Sequence, residues 1–144
     1  MSNYRKGGTL ISQIHQVCSR VWNALLREED LPDLEGARGR IIFSLWSEDK
    51  VPIKVLCEKT SLDKSTMTGI LFRLERDGFI TREEDPNDKR SCLICRTTKS
   101  DFFKTKVPSV SEKMNSIFYK GFSETEIDEF EKQLERILEN CKNG

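Results

Sequence analysis

The chain has 144 residues, 36% apolar and 33% charged, and its 24 basic and 24 acidic side chains leave no net charge. This composition excludes a disordered chain, allows one domain able to bury roughly two-thirds of its unfolded surface, and removes any need for a disulfide or metal staple. Zero net charge gives no overall attraction for nucleic acid, but residues 51–106 hold 12 basic and 9 acidic side chains whereas residues 107–144 hold 5 and 8. That asymmetry has the sign expected of a central DNA-binding unit beside a region that makes no contact.

The start, Met1-Ser2-Asn3-Tyr4-Arg5-Lys6-Gly7-Gly8, has no apolar core behind its charges. With no signal peptide and no membrane span, a cytoplasmic protein with reduced thiols is expected. The five cysteines are an odd number. Cys92 and Cys95 imitate a metal knuckle, but three residues apart on a strand they face opposite ways, and no second Cys/His pair completes four ligands, so no metal site is expected.

Over residues 10–27, Ile11, Ile14, Cys18, Val21 and Leu25, widened by Leu10, Val17, Trp22 and Leu26, mark one face of a helix. Leu31-Pro32-Asp33-Leu34 breaks the pattern, and Glu35 to Ser47 resumes a helix with Ile41, Ile42, Leu45 and Trp46 inward. Val51-Pro52 can supply only a short edge strand, because proline lacks the donor. Ile53 to Thr60 is then a helix, Thr60-Ser61-Leu62-Asp63 a turn, and Lys64 to about Asp77 a second helix capped by Asp63 and stopped by Gly78, with Met67, Ile70, Leu71 and Leu74 inward. Phe79 to Arg82 and Ser91 to Thr97 read as antiparallel strands joined by the loop Asp85–Arg90.

Thr98 is expected to cap a long helix from about Lys99 to Lys120, carrying Phe103, Val107, Val110, Met114, Ile117 and Phe118 on one face, kinked at Pro108 and ended by Gly121. Ser123-Glu124-Thr125-Glu126 is a capping box that opens the last helix, whose stripe is Ile127, Phe130, Leu134, Ile137, Leu138 and Cys141. Helix, turn, helix and hairpin over Ile53–Thr98 form the order of a winged helix-turn-helix. The amphipathic helices on both sides of it either join a second copy in a homodimer, the expectation here, or close into an intramolecular three-helix bundle.

In a helix-turn-helix the N-terminal turns of the second helix meet base edges, and Ser65, Thr66 and Thr68 lie on its outer side while Lys64 reaches toward phosphate. Gly69 costs about 1 kcal/mol there relative to alanine, which close approach of the backbone to a duplex would justify. Arg90, at the loop tip beside Lys89 and two residues after Asp88, suits a narrow minor groove, and Asp88 is placed to hold its guanidinium. The alternatives are a solvated helix start and an ordinary polar turn.

The run Leu62-Asp63-Lys64-Ser65-Thr66-Met67-Thr68, Arg73-Leu74-Glu75-Arg76-Asp77-Gly78-Phe79-Ile80 and Asp85-Pro86-Asn87-Asp88-Lys89-Arg90-Ser91 resembles the recognition helix and wing of the MarR (multiple antibiotic resistance regulator) transcription factors. The likeness extends through Thr98-Lys99 and Gly121-Phe122-Ser123-Glu124-Thr125-Glu126, and so over essentially the whole chain. It implies a mainly α fold with a small β-hairpin wing, a winged helix-turn-helix lobe at about 36–98, and a helical dimerisation lobe from about 9–30 and 99–141. It further implies a homodimer that binds double-stranded DNA at pseudo-palindromic operators, usually as a ligand-released repressor, and no enzymatic activity or cofactor. Carried over by position, Ser65, Thr66 and Thr68 read bases, Arg90 enters the minor groove, Asp88 supports it, and Arg73 contacts phosphate or orients the wing. Gly69 stands where many relatives carry a polar side chain, and Thr97 and Asp101 where leucine and glycine are usual.

The resemblance also implies a small aromatic or phenolic effector, with Trp22, Phe43, Trp46 and Phe103 as candidate crevice residues; each also suits a core position. Cys18 follows His15 by one helical turn, an arrangement suited to a redox-sensing thiol or simply to packing, and His15 lacks partners for a metal. A winged-helix module that binds protein rather than DNA is the remaining alternative, favoured by the zero net charge. An enzyme is not supported, since there is one histidine, no nucleophile-elbow pattern and no phosphate-cradling loop.

Overall fold

The computed structural model describes residues 4–144; Met1, Ser2 and Asn3, the first residues of the stretch read as lacking a targeting core, lie outside it. Helix α1 (Gly7–Glu28) leads through a 3-10 turn (Pro32–Leu34) into α2 (Gly36–Ser47). Strand β1 (Val51–Pro52) runs directly into α3 (Ile53–Thr60), and the turn Ser61–Asp63 leads into α4 (Lys64–Arg76). The hairpin strands β2 (Ile80–Glu84) and β3 (Cys92–Arg96) follow, then α5 (Val107–Phe118) and α6 (Glu124–Asn143). The fold is thus mainly helical, with a three-stranded antiparallel sheet of order β1-β3-β2. Val51 pairs with Ile94, and the hairpin register runs from Ile80 opposite Arg96 to Glu84 opposite Cys92. Proline is accommodated because β1 is an edge strand.

The core lies where α2, α3 and α4 meet the sheet. Ile41, Leu45, Leu56, Met67, Leu71, Leu74, Phe79, Ile80 and Ile94 are buried there, and Leu26 from the end of α1 and Val110 from α5 complete it. A close approach sets the α2 angle. A Cβ added to Gly39 would lie 2.0 Å from the Leu34 carbonyl oxygen, so only glycine lets α2 pass the 3-10 turn. At the far end of α4, Gly78 takes φ +83°, and the Phe79 N–H returns to the Leu74 carbonyl at 2.9 Å.

The segment after the wing departs from the sequence expectation. No single helix with a kink at Pro108 spans Lys99–Lys120; a 3-10 turn over Ser100–Phe103 comes first, and α5 starts at Val107 with Pro108 in its first turn. Proline there gives up no donor that the helix needs, whereas in an interior turn its ring would meet the carbonyl four residues back. Tertiary partners hold the 3-10 turn. Trp46 Nε1 donates to the buried Ser100 Oγ at 3.2 Å, and the Asp101 carboxylate lies 3.5 Å from Arg96 and 3.2 Å from Lys104. The expected cap at Thr98 does not form: neither the 3-10 turn nor α5 has a side-chain cap, and Thr97 Oγ1 instead donates to the Gly78 carbonyl at 2.7 Å and accepts the Lys99 N–H at 3.3 Å in a local turn.

Helix α5 packs along α1, with Lys113 Nζ 3.2 Å from Glu29. Helix α6 opens with the capping box at Ser123 and Glu126, and its Phe130 packs in a cluster with Phe118, Tyr119 and Phe122. No residue of α6 is buried, and Ile137 and Leu138 are about half exposed, as are Leu10, Ile11, Ile14 and Val17 on α1. No helix of the described residues is long and apolar enough to cross a membrane.

Candidate nucleic-acid interface

Helix α4 presents its N-terminal turns outward because its four buried residues, Met67, Ile70, Leu71 and Leu74, take the opposite face into the core. Asp63 initiates it. One carboxylate oxygen accepts the Thr66 N–H at 2.7 Å and the other accepts the Thr66 hydroxyl at 3.0 Å. Those two bonds, the backbone one first, hold the Asp63 carboxyl below the ordinary carboxylate range. Ser61, in the turn ahead, adopts a left-handed φ of +58°, which lets α3 and α4 approach within so short a connection.

The three hydroxyls predicted to read bases are all exposed on this helix, in unequal states. Thr66 spends its proton on Asp63, and Thr68 donates to the Lys64 carbonyl at 2.8 Å, so each offers only lone pairs outward. Ser65 is free among the described residues to donate and accept. Two acceptors and one ambivalent hydroxyl match the amino groups that adenine and cytosine present in the major groove.

The wing tip is built from two consecutive aspartate turns. Asp85 accepts the Asn87 N–H and Asp88 accepts the Arg90 N–H, each at 2.9 Å. Asp88 was expected to hold the Arg90 guanidinium and instead binds the Arg90 backbone. A carboxylate two residues upstream meets the N–H before it can meet the end of a long side chain. It therefore fixes the loop and leaves the guanidinium projecting. Arg90, Ser91, Lys64 and Asp63 line one cleft of about 650 Å³ with Lys54 and Cys57, so the wing and the start of α4 lie side by side.

The cations divide into two groups. Among the described residues Lys64, Arg73, Lys89 and Arg90 take part in no ion pair and are all exposed, whereas those behind them are engaged: Arg38 with Asp77, Arg82 with Glu75, and Arg96 with Asp49 and Asp101. Asp77, pulled below the usual carboxylate range by hydrogen bonds from Arg76 and then Arg38, ties the end of α4 to α2, and Arg38 lies over the Phe79 ring. Asp49 secures the wing by accepting the Arg96 N–H at 2.8 Å. Neither cross-fold contact is marked by the local sequence, because Arg38 lies 39 residues from Asp77 and Arg96 lies 47 from Asp49.

The four aromatic residues considered for an effector separate. Trp22, Phe43 and Trp46 form a continuous row, edge-to-face at 6.1 Å and then tilted at 5.4 Å between centroids, while Phe103 pairs with Phe79. A cavity of about 640 Å³ between α1, α2, α5 and α6 is lined by Trp22, and also by His15, Cys18, Arg40, Phe118 and Tyr119; Phe43, Trp46 and Phe103 are not part of its wall. Cys92 is half-buried and Cys95 buried on the hairpin, and burial pushes the Cys95 thiol up.

A capped helix with a hydroxyl-bearing outer face, supported by a second helix across a tight turn and flanked by a hairpin with a free arginine, defines a winged helix-turn-helix protein. The MarR family model matches residues 34–92, which span α2 to the start of β3, and the chain belongs to the MarR family of transcriptional regulators. It is 30% identical over 103 residues to the HTH-type transcriptional regulator SarZ of Staphylococcus saprophyticus, covering 72% of this chain and 66% of that protein. To MgrA of Staphylococcus aureus it is 28% identical over 98 residues, 68% of this chain and 65% of that one. The matched stretch therefore spans about two thirds of the length of those relatives. In three dimensions the chain is similar to a mutant MarR from E. coli crystallised with operator DNA, at 25% identity and a TM-score of 0.79, covering 91% of this chain and 92% of that one.

Proposed function

We propose that the protein is a homodimeric, effector-responsive repressor that binds a pseudo-palindromic operator, reading bases with Ser65, Thr66 and Thr68 and entering the minor groove with Arg90. The observation that carries this reading is that Lys64 and Arg73 on α4 and Lys89 and Arg90 on the wing are exposed and take part in no ion pair among the described residues, whereas Arg38, Arg82 and Arg96 are engaged; of the outward arginines of α4, Arg76 is held by Asp77. Lys64, Arg73 and Lys89 are the phosphate contacts in this reading, and Asp88 shapes the loop that presents Arg90. Support comes from the likeness to the E. coli MarR found with operator DNA.

The DNA-binding lobe is assigned to about residues 36–98, and the dimerisation lobe to about 9–30 and 99–141. The exposed apolar faces of α1 and α6 support that division, since a second copy would cover them. The effector site is assigned to the 640 Å³ cavity, whose Trp22 and Phe118 suit an aromatic ring and whose Arg40 suits an acidic substituent. A second reading, thiol sensing at Cys18, is favoured by the presence of Cys18 and His15 in the wall of that same cavity. The protein is assigned to the cytoplasm, where its DNA would be.

The test is affinity for a duplex selected from a random pool, measured as salt is raised. Several phosphate contacts require a loss of roughly a thousandfold or more between 50 and 200 mM salt, and a flat response overturns DNA binding. Two half-sites about 34–36 Å apart are expected in the selected sequence.

A further inference from the structure

Helix α4 carries an aromatic ring that its fold does not use. Phe72 is 65% exposed and belongs to none of the aromatic pairs or core contacts of the described residues. A single exposed ring elsewhere would need no explanation. This one lies on the line Ser65, Gly69, Phe72, Arg76, spaced four, three and four residues, which at about 100° per residue is diametrically opposite the buried line of Met67, Ile70, Leu71 and Leu74. It therefore sits at the centre of the face that the proposed function turns toward bases.

Gly69 fills the position one turn before it. Its φ is not left-handed, and a Cβ added there would meet nothing within 4 Å, so neither backbone nor packing in this chain calls for glycine. The missing side chain leaves open space beside the ring on its N-terminal side. From Ser65 to Phe72 the rise is about 10 Å, or about three base-pair steps, so the two residues address different positions of one half-site.

We infer that Phe72, beside the open space left by Gly69, reads a thymine through its C5-methyl group in the major groove. The inference rests on the DNA-binding reading above. The thymine methyl is the one apolar group that base edges offer in that groove, and a phenyl ring has no hydrogen bond with which to address any other. Burial of one methyl corresponds to about fourfold in affinity per half-site.

The experiment takes the full chain and its selected operator and replaces each thymine singly with deoxyuridine, which removes the methyl and keeps the base pair. At one thymine per half-site the wild-type protein is expected to lose about fourfold in affinity. Phe72→Ala is expected to show the same loss on the unmodified operator, to be indifferent to deoxyuridine there, and to select operators with relaxed base preference at that position. Phe72→Leu should retain most of the methyl effect, and Gly69→Leu, with an unchanged melting curve, should weaken binding by crowding the ring. Salt-dependent binding with equal deoxyuridine effects in wild type and Phe72→Ala overturns the inference and leaves the DNA reading intact. Failure to select any duplex overturns both.

Discussion

The region from α2 to β3 and the helix α6 treat their apolar residues in opposite ways. In the first, alternating elements close over one another until Ile41, Leu56, Leu71 and Ile94 have no exposed surface. In the second, 20 residues with a continuous apolar stripe bury no residue, and Ile137 and Leu138 remain about half exposed. The stripe of α6 is more regular than those of α2, α3 and α4, so periodicity alone does not say what covers it. A lobe of three helices and three strands can satisfy its own faces, whereas a terminal helix leaning on α5 can cover only its Phe130 end. The first region is stabilised within the chain, and the second is available for the dimer proposed above.

The contrast is broken most directly by truncation on either side. Leu71→Ala is expected to destabilise the fold by about 2–5 kcal/mol in urea unfolding, because the surrounding core cannot collapse into the cavity. Ile137→Ala is expected to change the monomer by less than about 0.5 kcal/mol while shifting the oligomer toward smaller species in sedimentation. If both variants unfold at the same urea concentration, the two regions do not differ as described.

Arg90→Ala separates binding from folding. It is expected to weaken operator binding by about 1–3 kcal/mol, with unfolding and oligomeric state unchanged, since among the described residues Arg90 is bonded through its backbone N–H and takes part in no ion pair. Unchanged affinity would remove the wing arginine from the interface.

Asp63→Ala tests the junction of fold and interface with a smaller effect. Loss of the cap lowers the urea midpoint and loosens the helix start that carries Thr66. Because the folded carboxyl is held below its ordinary value of 3.8, the cap's contribution is complete above that pH and is lost as pH falls through the lower folded value. Wild type should thus show an acid-dependent loss of stability that Asp63→Asn lacks.

The smallest effect is a gain. Ser61→Gly should stabilise the protein by about 0.5–1 kcal/mol, since glycine adopts φ +58° without the steric cost borne by serine. Equal thermal midpoints would show that the turn is not strained.

How much was legible from sequence follows from the range of each interaction. The bounds of α3, the Asp63 cap, the Gly78 stop and the Ser123 capping box rest on partners within five residues, and each was readable from spacing alone. The segment after the wing was misread because its determinants are distant. The Trp46–Ser100 bond spans 54 residues, so a pattern that continues across Pro108 looks like one helix until α2 is in place. The role of Asp88 was misassigned for the opposite reason: the carboxylate acts at shorter range than expected, on a backbone N–H.

The sequence by itself determined the order of elements, the inward face of each helix and the cluster of candidate DNA contacts, because hydrophobic period, caps and turn residues act locally. Only the tertiary structure decided which cations are free, that the effector candidates Phe43, Trp46 and Phe103 stand apart from the cavity between α1, α2, α5 and α6, and that Phe72 stays exposed with open space beside it. Those properties depend on what each side chain meets across the fold, and that is set by packing rather than by neighbours along the chain.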